Sequence, residues 1–195
     1  MLHDLSLPLR AGIEESVQSE ANVTRLVASG HVGTHLDRIL GTVVPLDYFK
    51  SRGVRFDVRA FCREREIRPE DVDMAFVRPG DFVMFHTGYM ARSGYGTPDY
   101  LQAHVAVSWD LVDRLLERKV HYIGIDARGL RPNAEHRQVD ERCERMGTYV
   151  VENMTNLEAL PAKEKMMVYT MCFDAGGTGI ACRVIAETAD EASSG

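Results

Sequence analysis

The sequence predicts an α/β or α+β domain built on a mixed sheet, without the regular alternation of a doubly wound fold. Strand-like apolar segments outnumber helical ones, and only "SWDLVDRLLERK" has a sustained helical period. Two long stretches, 87–107 and 127–147, are rich in glycine, proline and charge and read as loops. Loops that long in a compact domain are often functional. With 195 residues, 45% of them hydrophobic, the chain can bury the core of a single domain. Its expected extent is 1–188, followed by a low-complexity tail, "ADEASSG" at 189–195, expected to be disordered.

The elements follow in order. "LSLPL" (5–9) and "NVTRLVA" (22–28) alternate apolar with polar residues and read as strands. "RPEDVDMAF" carries Pro69 at a first helical position with acidic residues behind it, a helix start. Asp81 to His86 form a strand that ends at Gly88. Ser108 can cap the clearest helix, in which Trp109, Val112, Leu115 and Leu116 share one face. Arg118 and Lys119 close it with the charge its C-terminal dipole favours. "VHYIGID" ends in Asp126 and "GTYVVEN" in Glu152 and Asn153, where apolar strands meet loops; "KMMVYTMCF" and "ACRVIAE" complete the set.

A net charge of −6 with no run of Lys or Arg longer than two excludes a nucleic-acid partner. No apolar run approaches the roughly 18 residues of a membrane span, and the N-terminal segment lacks the positive charge and apolar core of a signal peptide. Cys62, Cys143, Cys172 and Cys182 show no C-x-x-C pair or zinc-ribbon spacing; their even number permits disulfides, but a chain this large does not need staples, so reduced cysteines and a cytoplasmic location are expected.

"SGHVGTHLDRILGT" (29–42) is the segment a merely structural chain has least reason to contain. His31, His35 and Asp37 supply two imidazoles and a carboxylate, a set suited to zinc, manganese or iron. Gly30 and Gly33 argue against a helix, so a bent loop would have to make the side chains converge. The spacing admits a second reading, a loop whose histidines are exposed or cap backbone groups. Three ligands do not complete a site. His3, His86, His104, His121 and His136, with Asp126, Glu135 and Glu152, are the remaining donors considered. Glu152 interrupts an apolar strand end, which fits either the rim of a site or the surface.

These segments resemble the cyclase-like metal-dependent hydrolases, the family of kynurenine formamidase and isatin hydrolase. "HVGTHLD" is similar to its H-x-G-T-H-x-D signature. "DLSLPL", "RPGDFVMFHTGY", "YIGID", "TYVVENMTNLEAL" and "ACRVIAE" match further family segments in the same order. The resemblance implies a swivelling β/β/α-type fold and a homo-oligomer, dimer or tetramer. It also implies a divalent metal, zinc in one or two ions or else manganese, on His31, His35, Asp37, His136 and Glu152.

Two departures stand out. The signature usually continues with a proline and then an acid/base histidine, where this chain has Ile39 and Gly41. The loop after "GID" reads "ARGLRP", which implies a different pocket. His86, at a strand end expected to face the pocket, is the first candidate for the missing acid/base, a merely packed histidine being the alternative. Tyr89 could orient an aromatic substrate, or simply be buried. The expected activity is metal-dependent hydrolysis of an amide, formamide or lactam-like C–N bond in a small, aromatic substrate. A metal-assisted cyclase or dehydratase, and a non-catalytic metal-retaining protein that binds a small ligand, are the alternatives.

Overall fold

The computed structural model describes residues 1–8, 27–102, 105–162 and 166–189. Its strands are β1 (Leu2–Asp4), β2 (His35–Asp37), β3 (Lys50–Asp57), β4 (Phe82–His86), β5 (Tyr122–Ile125), β6 (Tyr149–Glu152), β7 (Met166–Phe173) and β8 (Gly179–Thr188). The α-helices that lie wholly within the described residues are α1 (Tyr89–Ser93), α2 (Pro98–Leu101), α3 (Trp109–Glu117) and α4 (Ala134–Arg145).

The strands form one mixed sheet in the order β1-β8-β2-β6-β5-β4-β3-β7, and β7 also pairs with β8. Seven strands, β2 to β8, therefore close into a barrel, while β1 extends the β8 edge beyond β2. β3, β4, β5 and β6 run parallel to one another, and every pairing of β2, β7 and β8 is antiparallel, including β2–β6 and β3–β7.

Alternation along the strands divides the apolar residues between two cores. Leu36, Phe82, Met84, Tyr122, Tyr149, Val151, Val168 and Ile180 point into the barrel. Val83, Phe85, Ile123, Ile125 and Val150 point outward, against Leu111, Val112 and Leu115 of α3 and Val139 and Cys143 of α4. Strands buried on both faces read as continuous apolar runs, which is why β4, β5 and β6 were predictable.

The mixed α/β expectation holds, with closure of the sheet added. Several local expectations do not. The segment 127–147 is not a loop: it contains α4. That helix was concealed because half of its inward face is polar, with Asp140 and Glu144 buried beside Val139 and Cys143. The stretch 87–107 contains α1 and α2. Pro69 opens only a three-residue 3₁₀ turn, Pro69–Asp71. The first strand lies at Leu2–Asp4, upstream of the predicted 5–9. Of the strand expected at 22–28, residues 22–26 lie outside the described residues and 27–28 are helical. Residues 190–195 of the expected tail also lie outside them.

Glu144 holds α4 to the chain that leaves β2. Its carboxylate accepts from Leu40 N (2.6 Å), Thr42 N (2.9 Å) and Thr42 Oγ1 (2.7 Å), and it is 3% exposed. Removing the acceptor strands three donors. Glu144→Ala should therefore lower unfolding free energy by about 2–3 kcal/mol, read as a lower denaturant midpoint with an unchanged slope.

Candidate metal centre

The position of the site follows from one alternation. Leu36 fills the barrel, so His35 and Asp37 on either side of it point outward. The antiparallel register sets His35 opposite Glu152 of β6. Gly30 and Gly179 then bring the chain ahead of β2 back onto the pair. A Cβ on Gly30 would lie 2.0 Å from the Gly179 carbonyl oxygen, so only glycine permits the approach. His31 thereby reaches Asp37, Nε2 to Oδ1 3.1 Å.

From above, α4 supplies His136 and Asp140, one turn apart on a single face. His136 Nε2 lies 3.5 Å from Asp37, 3.4 Å from Asp140 and 3.3 Å from Glu152. His35 Nε2 lies 3.5 Å from Asp37 and 3.7 Å from Glu152. Two overlapping donor groups result: His31, His35 and Asp37; and Asp37, His136, Asp140 and Glu152, each with ligand atoms within 4.8 Å of one another. Asp37 belongs to both.

Three buried carboxylates this close cannot all be charged without compensation. Burial would raise Asp37, but the close imidazoles of His136, His31 and His35 hold it well below the usual carboxylate range. Burial and the charge of Asp37 push Glu152 well above its ordinary value, and burial with Asp37 and Glu152 does the same to Asp140. Burial works against the His35 cation, yet Asp37 and Glu152 outweigh it and hold its pKa at about 9. His136 is likewise raised against its burial, by Asp37 and Asp140.

Despite this proximity, His35 Nε2, both oxygens of Asp37 and of Asp140, and Glu152 Oε1 are buried without a hydrogen-bond partner. Convergent orphaned nitrogen and carboxylate oxygen atoms fit a divalent zinc, manganese or iron ion. The other ring nitrogens are already tethered, His35 Nδ1 to Gly33 O (2.9 Å) and His31 Nδ1 to Ser29 Oγ (2.9 Å), which aims each Nε2 at the cluster. Asn153 reinforces the loop. In left-handed backbone (φ 55°), it donates from Nδ2 to Gly33 O (2.9 Å) and accepts from Tyr100 Oη.

The cluster floors a cavity of about 140 Å³ lined by His31, His35, His136, Glu152, Asn153, Tyr95, Tyr100, Leu101 and Arg128. A second cavity of about 310 Å³ shares Leu101, Arg128 and His136 and adds Arg131 and Arg137. Gly129, at φ 91°, keeps the floor open: a Cβ there would lie 2.4 Å from Glu152 Oε1 and 2.7 Å from the His136 ring.

All five residues expected as ligands come together, and Asp140 joins them. His86 does not. It follows Phe82 and Met84 on the barrel side of β4, opposite to the outward-facing cluster, and its Nδ1 meets Arg55 Nη1 at 3.0 Å. Burial lowers its pKa. Asp126 accepts from Thr87 and Gly88 backbone amides, and Glu135 pairs with Arg131. His3 bonds Thr188, and His121 stacks on Tyr48. His104 lies outside the described residues. Tyr89 packs in the outer core, leaving Tyr95 and Tyr100 as the pocket's aromatic wall. The His136-x-x-x-Asp140 spacing was the readable signal for Asp140, but it has meaning only on a helix. Gly41 has φ 74° and no atom within 4 Å of an added Cβ.

A mixed-barrel α/β protein carrying a candidate metal centre is the class these features define. The family described as "Putative cyclase" matches residues 3–130, more than half of the chain, and the chain belongs to that family. The match includes His31, His35 and Asp37; His136, Asp140 and Glu152 lie beyond it. Among solved structures, a potential metal-dependent hydrolase with cyclase activity superposes with a TM-score of 0.72 at 18% identity, covering 95% of this chain and 96% of that one. Isatin hydrolase A from Ralstonia solanacearum gives 0.73 at 20%, covering 95% and 91%. Isatin hydrolase A from Labrenzia aggregata, bound to benzyl benzoate, gives 0.72 at 18%, covering 95% and 93%. At these identities the likeness concerns the fold. No curated protein matches the sequence. No helix among the described residues is long and apolar enough to cross a membrane.

The raised pKa values of His35, Glu152 and Asp140 mean that the metal-free folded chain retains protons that the unfolded chain releases as pH rises. Folding then takes up protons, so metal-free stability should fall as pH rises from about 6 to about 9. A bound dication replaces those protons. Melting curves with and without chelator should diverge increasingly with pH, the chelated sample falling.

Proposed function

We propose that this protein is a metal-dependent hydrolase of an amide, formamide or lactam-like C–N bond in a small, aromatic substrate, arylformamidase-like in its chemistry. The observation that carries the reading is the set of orphaned, buried donor atoms at the floor of an aromatic-walled cavity. Isatin hydrolases among the similar folds support the substrate class. His31, His35 and Asp37 would hold one ion, and His136 and Glu152, with Asp140, would complete the site for one or two ions. Zinc fits the nitrogen-rich group and manganese the carboxylate-rich one. When bound, such an ion acts as a Lewis acid on a carbonyl and makes water a stronger nucleophile at neutral pH.

The chain's own residues supply the rest. Tyr95, Tyr100 and Leu101 shape a slot of single-ring size and exclude water from one side. Arg128, bonded only to Leu101 O among the described residues, is placed to meet a carboxylate at the lip. Gly41 cannot move a proton, and His86 is on the other side of the sheet. A second reading leaves a single ion on His31, His35 and Asp37; His136 Nε2, 3.4 Å from the Asp140 carboxylate, would then carry the proton and could exchange it with Asp140.

Elemental analysis of purified protein should find one or two divalent ions per chain, and His31→Ala should lose both metal and hydrolysis of N-formylkynurenine or isatin. His136→Ala separates the two readings. If His136 carries the proton, metal stays while kcat falls about 10²- to 10⁴-fold; if it is a ligand, metal is lost as well. Protein that takes up no metal overturns the proposal, and metal-dependent ligand binding without product points to a non-catalytic role. Arg128→Ala should raise KM for carboxylate-bearing substrates about tenfold or more while leaving neutral ones nearly unchanged.

A further inference from the structure

We infer that Cys172 and Cys182 form a dithiol couple that hydroperoxides convert to an intramolecular disulfide, reversed by thiol reductants. The β7–β8 register sets Cys172 directly opposite Cys182, and their Sγ atoms lie 3.8 Å apart. Cys182 N donates to Thr34 O, away from β7. The pair is therefore a non-hydrogen-bonded one across β7–β8, where Cα atoms stand about 4.5 Å apart. Disulfides span Cα separations of about 4.4–6.8 Å, so side-chain rotation suffices to join the sulfurs without moving either strand.

The two thiols differ in access. Cys182 points into the barrel core with Ile180 and Val184 and is 7% exposed. Cys172 is half-buried against the same core, open to a small oxidant. Its hydrogen bond with Cys182 lowers the Cys172 thiol's pKa, and the same bond raises Cys182, so Cys172 is the thiolate that reacts first. Cys172 thiolate attacks the peroxide O–O bond, taking one oxygen as sulfenic acid and releasing hydroxide or alkoxide. Cys182 then displaces the sulfenic oxygen as water and closes the S–S bond. The peroxide is reduced by two electrons and the dithiol oxidised by two. Cys62 and Cys143 are buried in the outer core, apart from this pair.

The bond would fasten β7 to β8 at the seam that closes the barrel, and β8 also pairs with the strand carrying His35 and Asp37.

The test treats the full chain, metal content unaltered, with about equimolar hydrogen peroxide and then alkylates the remaining thiols in denaturant. Both cysteines lie in the tryptic peptide 166–183. That peptide should lose both alkyl groups and two hydrogens, about 2 Da relative to the dithiol, and dithiothreitol should restore alkylation. Peptides containing Cys62 and Cys143 should stay fully alkylated. In Cys182→Ser, dimedone should trap a sulfenic acid on Cys172. Two alkyl groups on peptide 166–183 after peroxide, or sulfinic acid on Cys172 without linkage, overturns the proposal. The wild-type measurement stands even if the variant fails to fold.

Discussion

Asp37 is the charge on which the rest of the site depends. It is 2% exposed, and both of its oxygens lack a hydrogen-bond partner of good geometry, a costly arrangement for a lone carboxylate. Three histidines converge on it from three places: the loop ahead of β2, β2 itself and α4. Two donor groups meet only because this one side chain belongs to both. Its direction is set in turn by Leu36, which must enter the barrel and so turns its neighbours outward. A hydrophobic demand on one residue thus aims the polar chemistry of the adjacent two.

Barrel closure makes this arrangement rigid. β2 is only three residues long, yet it is hydrogen-bonded on both edges, to β6 and to β8. A strand that short contributes little by itself, so its position is borrowed from longer neighbours. α4 is held by apolar contacts through Val139 and Cys143 and by the Glu144 clamp on Leu40 and Thr42. Arg38 pairs with Asp174 at the other end of the same exit segment. The chain that leaves β2 is therefore tied twice, and Gly41 sits inside the Glu144 clamp, between Leu40 and Thr42.

That placement bears on position 41, where the resemblance leads one to expect an acid/base histidine. An added Cβ at Gly41 would meet no atom within 4 Å, but the left-handed backbone there (φ 74°) favours glycine and would strain any other side chain. In the pocket two tyrosine hydroxyls hold Gly33 and Asn153, and Arg128 completes the wall. The loop that carries His31 and His35 is thus fastened by the pocket walls, through Tyr95 to Gly33 and through Asn153 to Gly33 and His35.

By itself the sequence determined the parallel strands β4, β5 and β6, the helix α3 with its Ser108 cap, and the donor-rich segment from His31 to Asp37. Each of these is local: a continuous apolar run, a 3.6-residue period, or donors close along the chain. Membership of His136 and Glu152 came only through resemblance, because residues so far apart share no local pattern. Tertiary structure alone decided the rest. It placed α4, whose inward face is half polar, within 127–147, brought Asp140 to the cluster, and turned His86 to the opposite side of the sheet. Periodicity detects apolar burial, and these groups are buried for charge compensation and hydrogen bonding, whose partners are chosen only when the barrel closes.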